Sequence, residues 1–198
     1  PKHREAGKLS LLIFGGSQGA RAINDGMIAA LPSLTNLKSA LRIKHQTGPA
    51  DFEKVKAGYD AAGWNEHAEV RSYIDNMMAD FGEADLVICR AGATTTAELI
   101  AAGKASIMIP FPFAADDHQR KNAEALAAAG ASRMILQQDL SGERLAKEIE
   151  KFVSGPEALD QMEAASRKLA HGDSAGSVVD LIEQLSHKKA QETQRRKD

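Results

Sequence analysis

The feature of this sequence that most restricts its fold is a regular alternation of short apolar runs with longer, alanine-rich stretches. Six runs have the length and residue types of β-strands: 9–14, 41–46, 69–73, 85–90, 106–110 and 132–136. Apolar residues at helical spacing follow each of them, and the predicted helices are 20–31, 49–62, 74–82, 94–102, 118–129, 141–154, 156–170 and 175–187. Because parallel strands require crossover connections, this pattern predicts an α/β fold with a Rossmann-like, six-stranded parallel sheet and helices on both faces.

The length and composition fit one globular domain. The chain has 198 residues, of which 43% are hydrophobic and 5% aromatic, so its core must consist mainly of aliphatic side chains. We interpret residues 1–8 as a linker, 9–187 as a single domain and 188–198 as a disordered polar tail. The basic residues of that tail could touch acidic lipid, but a solvated tail is the simpler interpretation. The chain begins without methionine, and we interpret it as a fragment of a longer protein.

Charge and cysteine content exclude several functional classes. The formal net charge of −2 gives no general basic field that would attract nucleic acid or an anionic membrane, so we expect no nucleic-acid partner. The single cysteine, Cys89, excludes an internal disulfide. It lies on a strongly apolar predicted strand, where we expect an inert, buried thiol. No apolar run approaches the ~20 residues that a membrane-spanning helix needs.

The first candidate ligand loop follows the first predicted strand, and ligands of open parallel sheets bind beyond the carboxyl ends of the strands. It contains Gly15, Gly16, Ser17 and Gly19. Glycines allow the backbone to approach a ligand closely, and the helix start that follows presents free N–H groups to an anion. The alternative is that the glycines only permit a tight turn. The spacing matches neither the dinucleotide motif nor the P-loop, so we predict phosphate binding without NAD or ATP chemistry.

The second candidate loop follows the fourth predicted strand and opens a helix. It consists of Arg90, Ala91, Gly92, Ala93, Thr94, Thr95, Thr96, Ala97 and Glu98. Threonine hydroxyls suit a helix start, where they cap the helix or contact a ligand. Glu98 lies one turn into the helix, and its carboxylate could accept two hydrogen bonds from a vicinal diol such as ribose. Alternatively, Glu98 only complements the helix dipole.

The third candidate loop follows the fifth predicted strand and ends in Asp116, Asp117, His118 and Gln119. His118 and Gln119 could bind sugar hydroxyls, or they could be solvated residues at a helix start. The two aspartates could suggest a metal, but no separated third ligand appears and Asp before a helix is usually an N-cap. We therefore predict no metal site. The remaining histidines, including His45, show no ligand spacing, and we expect them at the surface.

Taken together, these loops resemble the C-terminal domain of the bacterial N-acetylglucosaminyltransferases of peptidoglycan synthesis, from residue 9 to about residue 187. The matching motifs are Gly-Gly-Ser-Gln-Gly-Ala-Arg (15–21), His-Gln-Thr-Gly (45–48), Tyr-Ile-Asp-Asn-Met (73–77), Arg-Ala-Gly-Ala-Thr-Thr-Thr-Ala-Glu (90–98), Pro-Phe-Pro-Phe-Ala-Ala-Asp-Asp-His-Gln (110–119) and Asn-Ala (122–123). Each motif is weak alone, but their order and spacing are specific. The resemblance implies one half of a GT-B glycosyltransferase, in which two Rossmann-like domains face each other across a cleft.

The resemblance also implies an activity for the full-length protein. Such enzymes transfer N-acetylglucosamine from UDP-N-acetylglucosamine (UDP-GlcNAc) to lipid I, which forms lipid II, with inversion at the anomeric carbon and without a metal or other cofactor. They act as peripheral proteins at the cytoplasmic face of the bacterial inner membrane. The family's acceptor-binding segments do not occur in this sequence. We therefore expect lipid I and the general base to belong to a missing N-terminal domain, no catalytic residue in this chain, and donor binding without turnover.

The resemblance assigns roles to individual residues. It implies that the backbone of Ile74 reads the uracil edge and that Tyr73 caps the base. Glu98 would bind the ribose hydroxyls, and Ser17 would hold the diphosphate together with the amides of Ala93 and Thr94. The sugar would contact Gln119 and His118, although the family often has Gln at the position of His118. The rest of the expected donor site comprises Thr95, Thr96, Ala97 and the phosphate-loop glycines Gly15, Gly16, Gly19 and Gly92.

Two other functions remain compatible with these loops. A UDP-GlcNAc 2-epimerase shares the architecture but needs its own acid and base carboxylates. A non-catalytic nucleotide-binding module would use the same loops for binding alone.

Overall fold

The computed structural model describes residues 7–171 and confirms the predicted parallel sheet. Its six strands are β1 (Leu9–Phe14), β2 (Leu41–Gln46), β3 (Ala68–Arg71), β4 (Leu86–Cys89), β5 (Ala105–Met108) and β6 (Ser132–Met134). All neighbouring strands are parallel, in the order β3-β2-β1-β4-β5-β6. The chain therefore builds the sheet outward in two directions from the boundary between β1 and β4. In such a sheet this boundary opens a crevice at the carboxyl ends of the strands, where ligands bind.

Seven helices within the described part of the chain connect or follow these strands. They are α1 (Arg21–Ala30), α2 (Phe52–Ala61), α3 (Met77–Glu83), α4 (Ala93–Ala102), α5 (His118–Ala128), α6 (Gly142–Ser154) and α7 (Glu157–His171). The same described residues include three short 3-10 turns, which the sequence pattern did not predict, at Thr35–Leu37, Ala115–Asp117 and Gln137–Asp139. Residues 1–6 of the predicted linker, the predicted helix 175–187 and the tail 188–198 lie outside the described residues.

Most of the predicted boundaries are close to the observed ones, and the start of α3 shows why some are not. The sequence pattern predicted a helix from residue 74, whereas α3 begins at Met77. The side-chain oxygen of Asn76 accepts a hydrogen bond from the amide of Ala79 at 3.1 Å, which is an N-cap. This cap fixes the helix start and leaves Tyr73 and Ile74 in an irregular loop at the end of β3.

The core has two layers, one on each face of the sheet. Leu11 and Ile13 of β1 point into the layer that α1, α2 and α6 cover, whereas Leu12 and Phe14 point into the layer under α3, α4 and α5. The predicted helices on both faces are therefore confirmed. Cys89 belongs to the second layer and is fully buried, as predicted. Burial, reinforced by the nearby Glu98 carboxylate, raises the pKa of this thiol and keeps it protonated.

Candidate functional site

The three loops predicted to bind a ligand meet at one edge of the sheet. They leave the carboxyl ends of β1, β4 and β5, which are neighbouring strands. Beside them lies a cavity of about 430 Å³, lined by Gly15, Gly19, Ala20, Arg21, Ala22, Arg90, Phe111, Gln119 and Gln137. The fold thus brings residues from distant parts of the sequence to a common site at the predicted edge.

A larger cavity of about 560 Å³ lies near the amino-terminal halves of β1, β2 and β3. Lys44 forms ion pairs there with Glu69, Asp80 and Glu83, so its charge is already compensated. None of the three glycine-, threonine- or proline-containing loops contributes to its lining. We therefore assign the candidate site to the smaller cavity at the carboxyl edge, whose lining includes Gly15 and Gly19 after β1, Arg90 after β4 and Phe111 after β5.

The glycine loop after β1 packs closely against the turn that follows β2. Gly16 and Gly19 both have positive φ angles, of 96° and 77°. A Cβ atom on Gly19 would overlap the carbonyl oxygen of Thr47, and one on Gly48 would overlap the carbonyl of Gln18. The absence of side chains at these positions therefore permits the loop contact. Ser17, at the outer side of the loop, is exposed.

A buried polar network lies behind this loop and contains a histidine that we expected at the surface. That expectation was wrong: His45 belongs to β2, and its side chain is fully buried beneath the helices that cover this strand. Its Nε2 lies 3.1 Å from Oδ1 of Asn24, and its Nδ1 lies 3.0 Å from the hydroxyl of Tyr59. The Asn24 oxygen only accepts, so Nε2 of His45 carries the proton and Nδ1 accepts from Tyr59. Burial lowers the pKa of His45 to about 3, so the imidazole is neutral near pH 7.

The same network reaches the turn that supports the glycine loop. Nδ2 of Asn24 donates to the carbonyl of Thr47 and to Oδ2 of Asp51, both at 3.0 Å. The other oxygen of Asp51 lies 3.5 Å from Nε of Arg21. Because the Arg21 side chain is 74% exposed, this ion pair is weak, and the guanidinium remains available at the rim of the cavity.

The loop after β3 is joined to the glycine loop by a residue that sequence reasoning left without a role. Oε1 of Gln46 accepts a hydrogen bond from the amide of Ile74 at 3.0 Å, and its Nε2 donates to the carbonyl of Gly16 at 2.9 Å. The amide of Ile74 is therefore already bonded. The side chain of Ile74 is buried, whereas the neighbouring Tyr73 ring is 55% exposed at the same edge. The sequence signal for Gln46 was its place in the His-Gln-Thr-Gly motif directly at the end of β2.

The start of α4 presents unpaired backbone donors. Gly92 is the N-cap residue, and no side chain in the described part of the chain caps this helix. The first peptide N–H groups of a helix have no intrahelical acceptor, so those of Ala93, Thr94 and Thr95 are free to bind an anion. Ala93 and Thr94 are exposed.

Thr96 lies differently from the other threonines. It is only 2% exposed, and its hydroxyl donates to the carbonyl of Gly92 at 2.8 Å. The side chain is thus directed into the protein, so the expectation that its hydroxyl contacts the ligand does not match its position. The reason is the helical period, which turns the fourth residue of α4 toward the core.

Glu98 is partly buried one turn into α4. Among residues 7–171, no side chain forms an ion pair or a hydrogen bond with its carboxylate. Ala97 beside it is exposed. A carboxylate without an internal partner at this edge has its acceptor positions available for hydroxyl donors.

Gln119 connects the second and third loops. Its Oε1 accepts from the amide of Phe111 at 3.0 Å and from that of Ala91 at 3.3 Å, and the residue also lines the cavity. Asn122, one turn later in α5, donates to the carbonyl of Ala91 at 3.0 Å. His118 is exposed and its Nε2 lies 3.6 Å from Asp116, outside the cavity lining. The fold therefore brings Gln119, but not His118, to the cavity.

The two aspartates before α5 adopt an unusual backbone conformation. Asp116 and Asp117 have φ angles of 49° and 57°, which non-glycine residues rarely adopt. Asp117 occupies the N-cap position as expected, but its side chain makes no capping hydrogen bond. Strain of about 1–3 kcal/mol per residue is typical of functional loops. Phe113, earlier in this loop, is 82% exposed and packs edge-to-face against Phe111.

Arg90, the first residue of the second candidate loop, is a second residue to which sequence reasoning gave no role of its own. Its guanidinium donates to the carbonyls of Ile109 (3.0 Å) and Pro110 (3.2 Å) and to Oε1 of Gln137 (2.6 Å). It also lies 5.3 Å from the centre of the Phe111 ring. Burial lowers the pKa of this guanidinium, and the three oxygen acceptors offset the loss of water. Arg90 thus fixes the exit of β5 and places a positive charge at the cavity.

Among residues 7–171, no group of three or more His, Cys, Asp or Glu side chains is arranged to hold a metal ion. The helices in this part of the chain are all too short or too polar to cross a membrane.

Comparison of the chain with known proteins identifies its family. Residues 10–185 match the Glycosyltransferase family 28 C-terminal domain. The protein from Citrifermentans bemidjiense named "UDP-N-acetylglucosamine--N-acetylmuramyl-(pentapeptide) pyrophosphoryl-undecaprenol N-acetylglucosamine transferase" is 52% identical over 173 residues, which cover 87% of this chain and 48% of that protein. A relative of the same name from Geobacter sp. (strain M21) is 53% identical over 170 residues, covering 86% of this chain and 45% of the relative.

A solved structure agrees with these relatives. The crystal structure of MurG from Acinetobacter baumannii has a TM-score of 0.78 and 36% identity to this chain, and the match covers 93% of this chain and 54% of that one. The chain spans about half the length of the curated relatives it matches. Its sheet and helices are those of one half of a GT-B glycosyltransferase. The chain therefore belongs to glycosyltransferase family 28, of which it carries the C-terminal domain.

Proposed function

We propose that this chain is the donor-binding domain of an inverting, metal-independent hexosyltransferase that uses UDP-GlcNAc. The observation that carries the proposal is the start of α4, which follows β4 next to β1 and its glycine loop and which no side chain among residues 7–171 caps, so that its first peptide N–H groups can bind an anion. Arg21 and Arg90 add positive charge at the same edge of the sheet. This arrangement suits a diphosphate. The names of the relatives, which specify an N-acetylglucosamine transferase, support this choice of sugar.

The proposed donor contacts come from the three candidate loops and from the loop after β3. Ser17 and the amides of Ala93 and Thr94 bind the diphosphate, and the carboxylate of Glu98, which has no side-chain partner among residues 7–171, accepts hydrogen bonds from the ribose. Tyr73 covers the uracil.

The backbone of Ile74 reads the uracil edge through its carbonyl, because its amide is bonded to Gln46. Gln119 contacts the sugar from the cavity, and His118 contributes only if the strained turn before α5 moves.

The proposed chemistry requires stabilisation of the leaving group. Negative charge develops on the UDP diphosphate as the glycosidic bond breaks, and interactions that strengthen as this charge grows accelerate the reaction. Preorganised peptide N–H groups and a fixed guanidinium supply such stabilisation without reorganisation at the moment of bond cleavage. This is the part of the catalysis that we assign to the chain.

The remaining parts of the reaction are proposed to lie outside this chain. The relatives are about twice as long as their matching region. We propose that the additional half binds lipid I, supplies the general base and contacts the cytoplasmic face of the bacterial inner membrane. Within this chain, residues 9–187 form the donor domain, 1–8 a linker and 188–198 a polar tail.

Calorimetric titration of the 198-residue chain with UDP-GlcNAc tests the proposal. We expect saturable, one-to-one binding of UDP-GlcNAc and of UDP, and much weaker binding of ADP because adenine presents a different edge. Mixing the chain with UDP-GlcNAc and lipid I should give no lipid II, and UDP-GlcNAc should be recovered unchanged. A folded chain that does not bind UDP would contradict the proposal, and formation of the 2-epimer would favour the epimerase instead.

A further inference from the structure

Gln46 occupies a position from which it contacts both of the loops proposed to bind the nucleotide. It is the last residue of β2, and it pairs in register with Phe14 of β1 on one side and Arg71 of β3 on the other. These partners are the last residues of their own strands. The glycine loop begins directly after Phe14, and the loop with Tyr73 and Ile74 begins just after Arg71.

The side chain of Gln46 uses both ends of its amide to join these loops. Its Nε2 donates to the carbonyl of Gly16 at 2.9 Å, and its Oε1 accepts from the amide of Ile74 at 3.0 Å. The residue is only 2% exposed. A buried amide that lost either bond would leave an unsatisfied polar group, so this pair of bonds holds the side chain and both loops in place.

We propose that Gln46 is a positioning residue that sets the separation between the diphosphate half-site and the base half-site. The inference rests on the proposed function, because it assigns the glycine loop to the diphosphate and the loop at Ile74 to the base. β1 and β3 are not neighbours, and β2 between them separates their ends by about 10 Å, twice the spacing of adjacent strands. Gln46 is the bridge across this gap.

The energetic role of such a bridge differs from that of a direct ligand contact. A ligand that binds both half-sites gains from their fixed separation, since binding at one places its other end at the second with a high effective concentration. A ligand that binds only one half-site gains nothing from that separation. Loss of the bridge should therefore lower the affinity for UDP much more than it lowers the affinities for uridine and for pyrophosphate, measured separately.

The test compares UDP, uridine and inorganic pyrophosphate by NMR titration of the wild-type chain and of Gln46→Met. Methionine has nearly the length of glutamine and fills the same space, but it makes neither hydrogen bond. We expect UDP affinity to fall by about tenfold or more, which corresponds to loss of one buried hydrogen bond, while uridine and pyrophosphate each change by less than about threefold. Gln46→Glu keeps an acceptor for Ile74 and loses the donor to Gly16, and we expect the same pattern from it.

Ser132→Ala is the matched control. Ser132 is buried at the start of β6, and its hydroxyl donates to the carbonyl of Arg133 at 2.8 Å, away from the nucleotide loops. The Ser132→Ala substitution should leave the affinities for UDP, uridine and pyrophosphate unchanged. Equal loss of affinity for UDP, uridine and pyrophosphate in the Gln46 variants would overturn the inference, as would unchanged UDP binding. If the wild-type chain itself bound no UDP, the proposed function would fail first, and the inference would fall with it.

Discussion

The Nε2 atom of His45 donates to Oδ1 of Asn24 across 3.1 Å in the interior of the protein. This bond joins the end of β2 to α1, and α1 begins directly after the glycine loop. The other ring nitrogen, Nδ1, accepts a hydrogen bond from the hydroxyl of Tyr59, and only the neutral imidazole with its proton on Nε2 can make both bonds in these directions. The protonation state of one buried histidine is thereby linked to the support of the candidate phosphate loop.

The first prediction is a loss of stability at mildly acidic pH. Burial lowers the pKa of His45 from 6.5 to about 3 in the folded protein, so between these values the unfolded chain binds a proton that the folded chain excludes. The contribution of His45 to the free energy of unfolding is therefore fully present above pH 6.5, and it decreases as the pH falls toward 3. Between pH 7 and pH 5 this histidine should lower the free energy of unfolding by about 2 kcal/mol.

Urea denaturation of the wild type and of His45→Gln at several pH values measures this effect. The variant removes the titrating group, so it should be less stable at pH 7 but show a flatter dependence on pH between 7 and 5. The exposed His118 provides the control, since His118→Gln should leave the slope unchanged. Parallel pH profiles for wild type and His45→Gln would show that another group is responsible.

The second prediction separates backbone strain from steric overlap in the glycine loop. Gly16 and Gly19 both have positive φ, but an added Cβ meets no atom within 4 Å at Gly16, whereas at Gly19 it overlaps the Thr47 carbonyl. Gly16→Ala should cost only the strain of the left-handed conformation, about 1–2 kcal/mol. Gly19→Ala must also displace the loop from the turn after β2, so its unfolding free energy and UDP affinity should fall further. Thermal unfolding and calorimetry of both variants measure these changes, and equal effects would contradict the close loop contact.

The sheet was predictable from the sequence because its determinants are local. β1 and β2 have the predicted bounds, since each is an apolar or alternating run that a turn of polar or glycine residues ends. The positions of the glycine loop and of the start of α4, between a strand and a helix, were predictable for the same reason, because the order of residue types alone indicates such a loop.

The residues whose burial or role was not predicted have hydrogen-bond partners that are distant in sequence. The burial of His45 requires Asn24 and Tyr59, which are 21 and 14 residues away and which satisfy its two nitrogens. The role of Gln46 requires the register of three strands, and that of Arg90 requires carbonyls about 20 residues further along. A pattern in a single sequence indicates which face of an element a residue occupies, but it does not indicate whether a hydrogen-bond partner is present on that face.

The third prediction concerns the carboxylate of Glu98. Glu98→Gln conserves size but replaces a charged acceptor by a neutral amide, so hydrogen bonds from the ribose should weaken by about 1.5–3 kcal/mol, or roughly tenfold to a hundredfold in UDP affinity. The same substitution should matter less for 2′-deoxy-UDP, which lacks one of the two hydroxyls. Titration of both proteins with both nucleotides gives the coupling between Glu98 and the hydroxyl. Equal losses for UDP and 2′-deoxy-UDP would remove that hydroxyl from the proposed contact.

The final prediction concerns Arg90, whose planar guanidinium bonds to three acceptors that a lysine ammonium on a similar stem could not reach together. Arg90→Lys conserves the charge but no longer holds the segment directly after β5, and at least one of the carbonyls there loses its hydrogen-bond donor. We expect a decrease of about 1–3 kcal/mol in the free energy of unfolding.

The consequence for binding should depend on which part of the donor is present. Phe111 and Gln119 line the cavity, and both lie at the loop that Arg90 holds. UDP-GlcNAc affinity should therefore fall more than UDP affinity, because only the former places a sugar in the cavity. Arg120→Lys is the matched control: its guanidinium is exposed and pairs with Glu124 one turn away, so both affinities should stay unchanged. Equal losses of affinity for UDP and UDP-GlcNAc would show that Arg90 acts through the diphosphate alone, and they would contradict the placement of the sugar in the cavity.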